Sequence, residues 1–160
     1  MASLKKVTWK NALPIMGLDV YDAQRNFVAS NFQSLWEARR CRKAHGYAFP
    51  FGIYDGEVPV GFVMIGYGVD DDWPDPPKIA EGNYNLWRLM IDKRYQRRGF
   101  GREALKLALE FIRSFPCGRA DYCWLSFNPG NHAARRLYRS FGFRETGEKD
   151  GEELIAVLKL

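Results

Sequence analysis

Residues 95 to 101, YQRRGFG, combine what a phosphate ester needs from a protein: positive side chains and a backbone that can be approached closely. Arg97 and Arg98 offer charge-assisted donors. Gly99 and Gly101 carry no Cβ to hold a ligand away from the main chain. The run that follows, REALKLALEFIRSF, has Leu105, Leu109 and Ile112 at helical spacing, so the amides of residues 97 to 102 converge at a helix N-terminus. A helix start favours an anion there, and the predicted ligand is a pyrophosphate or phosphate ester. A second concentration of charge has the opposite sign. DDDWPDPPKIAEG sets Asp70, Asp71, Asp72 and Asp75 beside Trp73, with Glu81 close behind and Tyr67, Tyr84 and Trp87 on either side. Carboxylates and aromatic faces attract a polycation by Coulombic and cation–π terms, although the same loop also reads as solvated surface.

Other chemistries find little support. Cys41, Cys117 and Cys123 have no metal-ligand pairing, and only His45 and His132 could join them, so neither structural zinc nor a Cys-His nucleophile is expected. No lysine follows the last glycine of the turn as a nucleotide-binding P-loop requires, and a dinucleotide fingerprint would usually open the chain rather than lie past residue 90. The net charge of +5 and the RRCRK run at 39 to 43 invite a nucleic-acid reading, but the positive groups are dispersed and the acidic block would repel a phosphate backbone. No nucleic-acid partner is expected.

The elements that must hold these groups can be read from periodicity. The 160 residues fit one domain, 1–160, of ordinary soluble composition, with 46% hydrophobic and 27% charged residues. Nothing resembles a signal-peptide core or a membrane span, so the expectation is a cytoplasmic protein with reduced thiols and no membrane partner. Leu4 to Trp9 alternates as a first strand, Asn11 caps a short helix, and Phe32, Leu35 and Trp36 suggest the apolar side of a helix over 30–44. A hairpin over 51–67 turns at Asp55-Gly56. The prolines of the acidic segment make it a loop; a strand spans 84–92, a helix 101–114, a strand 120–127, a helix 131–140 and a last strand 154–158. The result is an α/β (α+β) fold with a mixed sheet flanked by helices.

LMIDKRYQRRGFGREAL resembles motif A of the GNAT superfamily of N-acetyltransferases, in which Gln or Arg, two residues, Gly, one residue and Gly or Ala follow the fourth strand. NHAARRLYRSFGF, residues 131 to 143, resembles their motif B. The two occur in order, about thirty residues apart, behind the hairpin. PFGIYDGEVPVGFVMIGYG and WRLMIDKRYQ are similar to segments of bacterial spermine/spermidine (diamine) acetyltransferases. The resemblance implies the GNAT fold, with a mostly antiparallel central sheet, and acetyl-CoA as cosubstrate without a metal. The pantetheine arm of acetyl-CoA would pair with the backbone around Met90 and Ile91, and its pyrophosphate would rest on Gln96, Arg97, Arg98, Gly99, Phe100, Gly101 and Arg102. Asn131 would contact the pantetheine side. Tyr138 matches the motif B tyrosine, which often protonates the departing thiolate; the alternative is a core tyrosine with a satisfied hydroxyl. On a helix Asn131 and Tyr138 lie about two turns apart and share a groove. His132 reads as a surface or capping residue.

By that resemblance the acceptor is a small-molecule primary amine, with a polyamine the expected class. An alkyl amine with a pKa near ~10.4 is only about one part in a thousand neutral near pH 7.4, a handicap of roughly 4 kcal/mol, so a carboxylate must take its proton. Glu81, Asp70, Asp71, Asp72 and Asp75 are the candidates, and the sequence does not choose among them. Asp70, Asp72, Trp73, Glu81, Tyr84 and Trp87 are expected at the amine site. The alternatives are a protein N-terminus, a lysine or an antibiotic amine as acceptor, or an acyl-CoA-binding module without turnover. A homodimer is allowed by the resemblance, with no residue arguing for it.

Overall fold

The computed structural model describes residues 1–160. Seven strands form one sheet in the order β1-β2-β3-β4-β5-β7-β6, with β1 at Ala2–Lys6, β2 at Tyr47–Asp55, β3 at Val58–Tyr67, β4 at Tyr84–Ile91, β5 at Tyr122–Phe127, β6 at Arg144–Asp150 and β7 at Glu153–Lys159. Helices α1 (Ala12–Met16), α2 (Asn31–Lys43), α3 (Phe100–Arg113) and α4 (His132–Ser140) pack on its two faces. Only β4 and β5 run parallel; all other neighbours are antiparallel, as the sequence led us to expect.

β3 contributes to the core on both faces of the sheet because it is covered on both sides. Val63 and Ile65 join a cluster with Leu105, Leu109 and Ile112 of α3, while Phe62 and Met64 face Ile15 of α1 and Ala38 of α2. All four β3 side chains are fully buried, each contributing about 1.5–3 kcal/mol of apolar transfer. On α3 the buried residues are Phe100, Ala104, Leu105, Ala108, Leu109 and Ile112, a single stripe in which two alanines let the helix approach the sheet closely.

Several expectations need correction. The first strand ends at Lys6 rather than reaching Trp9, and Trp9 is 85% exposed. α2 buries Asn31, Ser34, Ala38 and Cys41 and packs Leu35 against the core as expected, but Phe32 and Trp36, expected on the same side, are exposed. Small side chains on that face suit close packing on β2, and the Asn31 amide donates to the Ile15 carbonyl at 2.8 Å. The β2–β3 hairpin begins earlier, at Tyr47, and Gly56 at φ +61 opens its two-residue connection. β6, RETGEKD, was not expected, since an almost wholly exposed edge strand has no apolar alternation to announce it.

The turn leading from β4 toward the glycine motif is organised by one buried carboxylate. Asp92 accepts from the amides of Asp19 at 3.0 Å and Arg94 at 2.9 Å, and from the Arg94 guanidinium at 2.8 Å. Its own amide reaches the Val60 carbonyl at 2.8 Å, and the neighbouring Lys93 amide reaches Asp19 at 2.8 Å. Burial works to raise this carboxyl, but the Arg94 side chain and the two amides outweigh it and hold it below the usual carboxylate range. Asp92→Ala is expected to lower the unfolding free energy by about 1–3 kcal/mol, because buried amides lose their acceptor; urea unfolding at pH 7 measures this. A carboxyl depressed in the folded state contributes fully above its unfolded value, about 3.9, and loses the contribution as pH falls toward its folded one. Wild type is therefore expected to lose stability more steeply than the variant below about pH 4.

Candidate active site

β4 and β5 are paired only at Tyr84↔Cys123 and Asn85↔Trp124. Beyond that point they separate, and β5 takes β7 as its remaining partner over Tyr122–Phe127. On the other side of β4 the register with β3 slips between Met64↔Arg88 and Ile65↔Leu86, leaving Trp87 as the extra residue of a bulge. Bulges increase local twist and re-aim side chains. The edge of β4 that faces away from β3 is thus left without a strand partner from Leu86 to Ile91, in the middle of a sheet.

A groove of about 690 Å³ fills this opening. Leu86 to Ile91 form one wall, α4 contributes Ala134, Leu137 and Tyr138, and residues 24 to 29 close the other side. Tyr95, Gln96, Arg97, Phe100 and Gly101 lie at one end. There the backbone turns left-handed at Arg97 (φ 64) and Gly99 (φ 87), and Gly99 occupies the N-cap position of α3. The first amide to bond back within this turn is that of Glu103, onto Gly99 at 3.1 Å, which leaves those of residues 100 to 102 for a ligand. Gln96 is fixed by donating to the Ile91 carbonyl at 3.0 Å and by exchanging bonds with Gln24.

Of the residues expected to hold a cosubstrate, Met90, Ile91, Gln96, Arg97, Phe100, Gly101 and Asn131 line the groove. Arg98, Gly99 and Arg102 do not. Arg98 lies over the Tyr95 ring at 5.6 Å, and Arg102 donates to the Ser140 hydroxyl at 3.0 Å. The side chain of Asn131 caps α4, accepting from the Ala134 amide at 3.3 Å. Tyr138 faces the groove with its ring against Phe127 and Phe143, at 6.0 Å from each. Burial first, then the nearby Glu153 carboxylate, push its phenol well above the ordinary tyrosine value, so it stays protonated.

A second cavity, about 430 Å³, holds the acidic and aromatic groups. Asp70, Asp72, Trp73 and Trp87 line it as expected, and the fold adds Glu37, Asp150 and Glu153, none of which sequence position had linked to the loop. Trp73 stacks on Trp124 at 6.3 Å. Glu37 is tied to Arg88 at 2.9 Å. Burial, then the nearby Asp75, raise the Asp150 carboxyl, as expected where negative charge is crowded. Trp124 Nε1 and Arg88 Nε are buried donors without a protein acceptor. Tyr84, expected at this site, is a core residue: it is fully buried, its hydroxyl donates to the Gly118 carbonyl and accepts from the Cys117 amide, both at 2.8 Å. Glu81 is exposed and lines neither cavity, and Asp71 is taken by His45 at 2.7 Å. No group of three or more His, Cys, Asp or Glu side chains is arranged to hold a metal.

The two cavities meet at Trp87, Arg88, Ser126 and Glu153. No alternation in the sequence marks the 24–29 wall or Glu153; only the closure of the sheet brings them to the opening.

The two glycines of the turn have different jobs. Gly99 supplies a left-handed backbone, whereas Gly101 is helical and supplies space: a Cβ there would meet only Ile91 and Leu137, at 3.8 and 3.9 Å. Gly101→Val is therefore expected to fold with little change in melting temperature but to weaken coenzyme A binding at least tenfold, since the branched side chain narrows the groove between α3 and α4. Calorimetric titration of the folded variant measures this, and an unchanged affinity would remove the cradle from this turn.

Residues 18–143 match the model of the acetyltransferase (GNAT) family. The chain is 34% identical over 157 residues to a spermine/spermidine N(1)-acetyltransferase of Bacillus subtilis, covering 96% of this chain and 95% of that protein. Among solved structures, PaiA N-acetyltransferase from Thermoplasma acidophilum in complex with coenzyme A superposes with a TM-score of 0.70 at 13% identity, covering 100% and 99% of the two chains. The aminoglycoside acetyltransferase AAC(6')-Ib in complex with coenzyme A gives a TM-score of 0.78 at 13% identity, covering 99% and 95%. A split sheet, a left-handed turn capping α3 and a match across most of the chain place this protein in the acetyltransferase (GNAT) family.

Proposed function

We propose that this protein transfers the acetyl group of acetyl-CoA to a primary amine of a polyamine such as spermidine or spermine. The observation that carries the reading is the junction of two unlike cavities: a groove ending in free helix-start amides and Arg97, and an acidic, aromatic cavity containing Asp70, Asp72, Asp150 and Glu153. An anionic cosubstrate and a polycationic acceptor fit one each, and the similarity to the Bacillus spermine/spermidine enzyme favours the same acceptor class.

In this reading the pantetheine arm adds to the free edge of β4 near Met90 and Ile91 as an extra strand, with backbone hydrogen bonds giving register. The pyrophosphate sits at the start of α3, where amides and the helix dipole receive it. Arg98 and Arg102, at the rim, contribute through long-range attraction and side-chain reorientation. The amine enters from the acidic cavity, with Trp73 and Trp87 offering faces to its cationic segments. Holding the two reactants at the opening supplies much of the acceleration without a protein nucleophile. Tyr138, kept as a phenol, donates its proton to the departing thiolate.

Thiol release from acetyl-CoA, measured across a panel of amines, tests the assignment: spermidine and spermine are expected to exceed a monoamine of similar reach in kcat/KM, with the advantage shrinking as salt screens the carboxylates. A salt-independent ratio near one would assign another acceptor. Replacing Asp70 and Asp72 together by Asn is expected to raise the polyamine KM and leave the acetyl-CoA KM nearly unchanged. Tyr138→Phe is expected to lower kcat by about 10²-fold or more with little effect on coenzyme A affinity, and an unaffected kcat would make this tyrosine structural.

A further inference from the structure

We propose that Glu153 is the group that takes the proton from the acceptor ammonium, held in place by Ser126; the assignment rests on the acetyl-transfer reading of the joined cavities. The reacting amine must lose its proton where it meets the thioester, which is the junction of groove and cavity. Only Trp87, Arg88, Ser126 and Glu153 line both spaces. Tryptophan and serine do not accept a proton near neutral pH, and arginine is always charged. Glu153 is also the only carboxylate on the groove side; Asp70, Asp72, Asp150 and Glu37 all belong to the acidic cavity alone.

The local fold explains why a residue so late in the chain arrives here. Glu153 opens β7, which is paired to β5 through Ser126↔Ile155 and Phe127↔Leu154. Alternation places Glu153 on the same face as Ile155, which packs with Trp124 on the side of the sheet opposite the α3 cluster. The Ser126 hydroxyl donates to Glu153 Oε1 at 3.0 Å, leaving Oε2 to the cavity. Tyr138 approaches the same point from α4, so a proton donor and a proton acceptor flank the opening. The cations that line the two spaces with Glu153 are Arg25, Arg88, Arg97 and Arg136 in the groove and Arg40 in the acidic cavity, and Arg88 is already committed to Glu37. Asp150 across the hairpin and Asp70 and Asp72 in the loop are carboxylates that share the acidic cavity with Glu153.

The proton balance closes. The ammonium, with three protons, becomes an amide bearing one. One of the two lost goes to the Glu153 carboxylate and on to solvent. As the amine nitrogen bonds the acetyl carbon and the carbon–sulfur bond breaks, the sulfur leaves with the bonding pair and takes the Tyr138 proton; the second amine proton restores the phenol.

The test is Glu153→Gln, assayed on the amine that wild type acetylates fastest, from pH 6.5 to about pH 10. Wild-type kcat/KM is expected to be nearly flat over the middle of that range, since bound ammonium plus carboxylate carries the same protons as free amine plus carboxylic acid. The variant is expected to lose about 10²-fold or more in kcat near pH 7 and to recover roughly tenfold per pH unit as solvent deprotonates the amine. Glu153→Asp is expected to restore part of the activity with the flat profile. Ser126→Ala, which frees the carboxylate, is expected to lower kcat several-fold at unchanged coenzyme A affinity. A loss in Glu153→Gln that is the same at every pH, or that falls on the amine KM alone, would make this carboxylate a binding or structural group and overturn the assignment. Melting temperature and coenzyme A titration identify a variant that has misfolded, in which case the same pH dependence is read from Glu153→Ala, which also lacks the carboxylate. Wild type inert toward every amine would instead overturn the acetyl-transfer reading, and this assignment with it.

Discussion

The structure depends on two strands that stop pairing. After Asn85↔Trp124, β4 and β5 part, and a sheet that could have buried every backbone group in its centre leaves the row from Leu86 to Ile91 open on one side. Unpaired backbone in a protein interior is costly unless water or a ligand answers it. The surrounding structure sustains the gap by pairing each strand firmly on its other side, β4 to β3 and β5 to β7. The bulge at Trp87 increases the twist at the place of divergence. The gap is therefore a fixed feature of the sheet.

Charge is distributed around that gap in two signs. At one end are helix-start amides, Arg97 and the turn built on Asp92; on the far face of the sheet are the carboxylates of the second cavity. The Arg88–Glu37 pair stands between them with both side chains largely buried, at 20% and 23% exposure. A buried pair contributes little net stability, because desolvation offsets most of its attraction. Its clearer consequence is positional: Arg88 also donates to the Trp87 carbonyl at 3.1 Å and so braces the bulge from α2.

Sequence reading succeeded where an element is specified by a short stretch of chain. The glycine turn, the α3 stripe of Leu105, Leu109 and Ile112, and the α4 run with Asn131 and Tyr138 all depend on spacing within one element, and local sterics and helical periodicity decide them. The mixed sheet followed from the alternation of β-rich runs with these helices. The same logic grouped Asp70, Asp72, Trp73 and Trp87, which share one cavity, because the acidic loop and the strand beside it are close in the chain as well as in space.

What no local pattern could decide was which elements share a face. Phe32 and Trp36 have the larger apolar side chains of α2, yet the helix turns them outward, because Ser34, Ala38 and Cys41 fit closer against the sheet. Tyr84 has the same residue type as a cation-binding aromatic, and only the approach of Cys117 and Gly118 to its hydroxyl makes it core. Glu37, Asp150 and Glu153 lie on three elements far apart in sequence, and the acidic cavity exists because the sheet order β4-β5-β7-β6 and the packing of α2 carry them to one place. The residue types and their local spacing were determined by the sequence itself. Their convergence was decided by long-range strand pairing, whose energy comes from contacts between segments that no window along the chain contains.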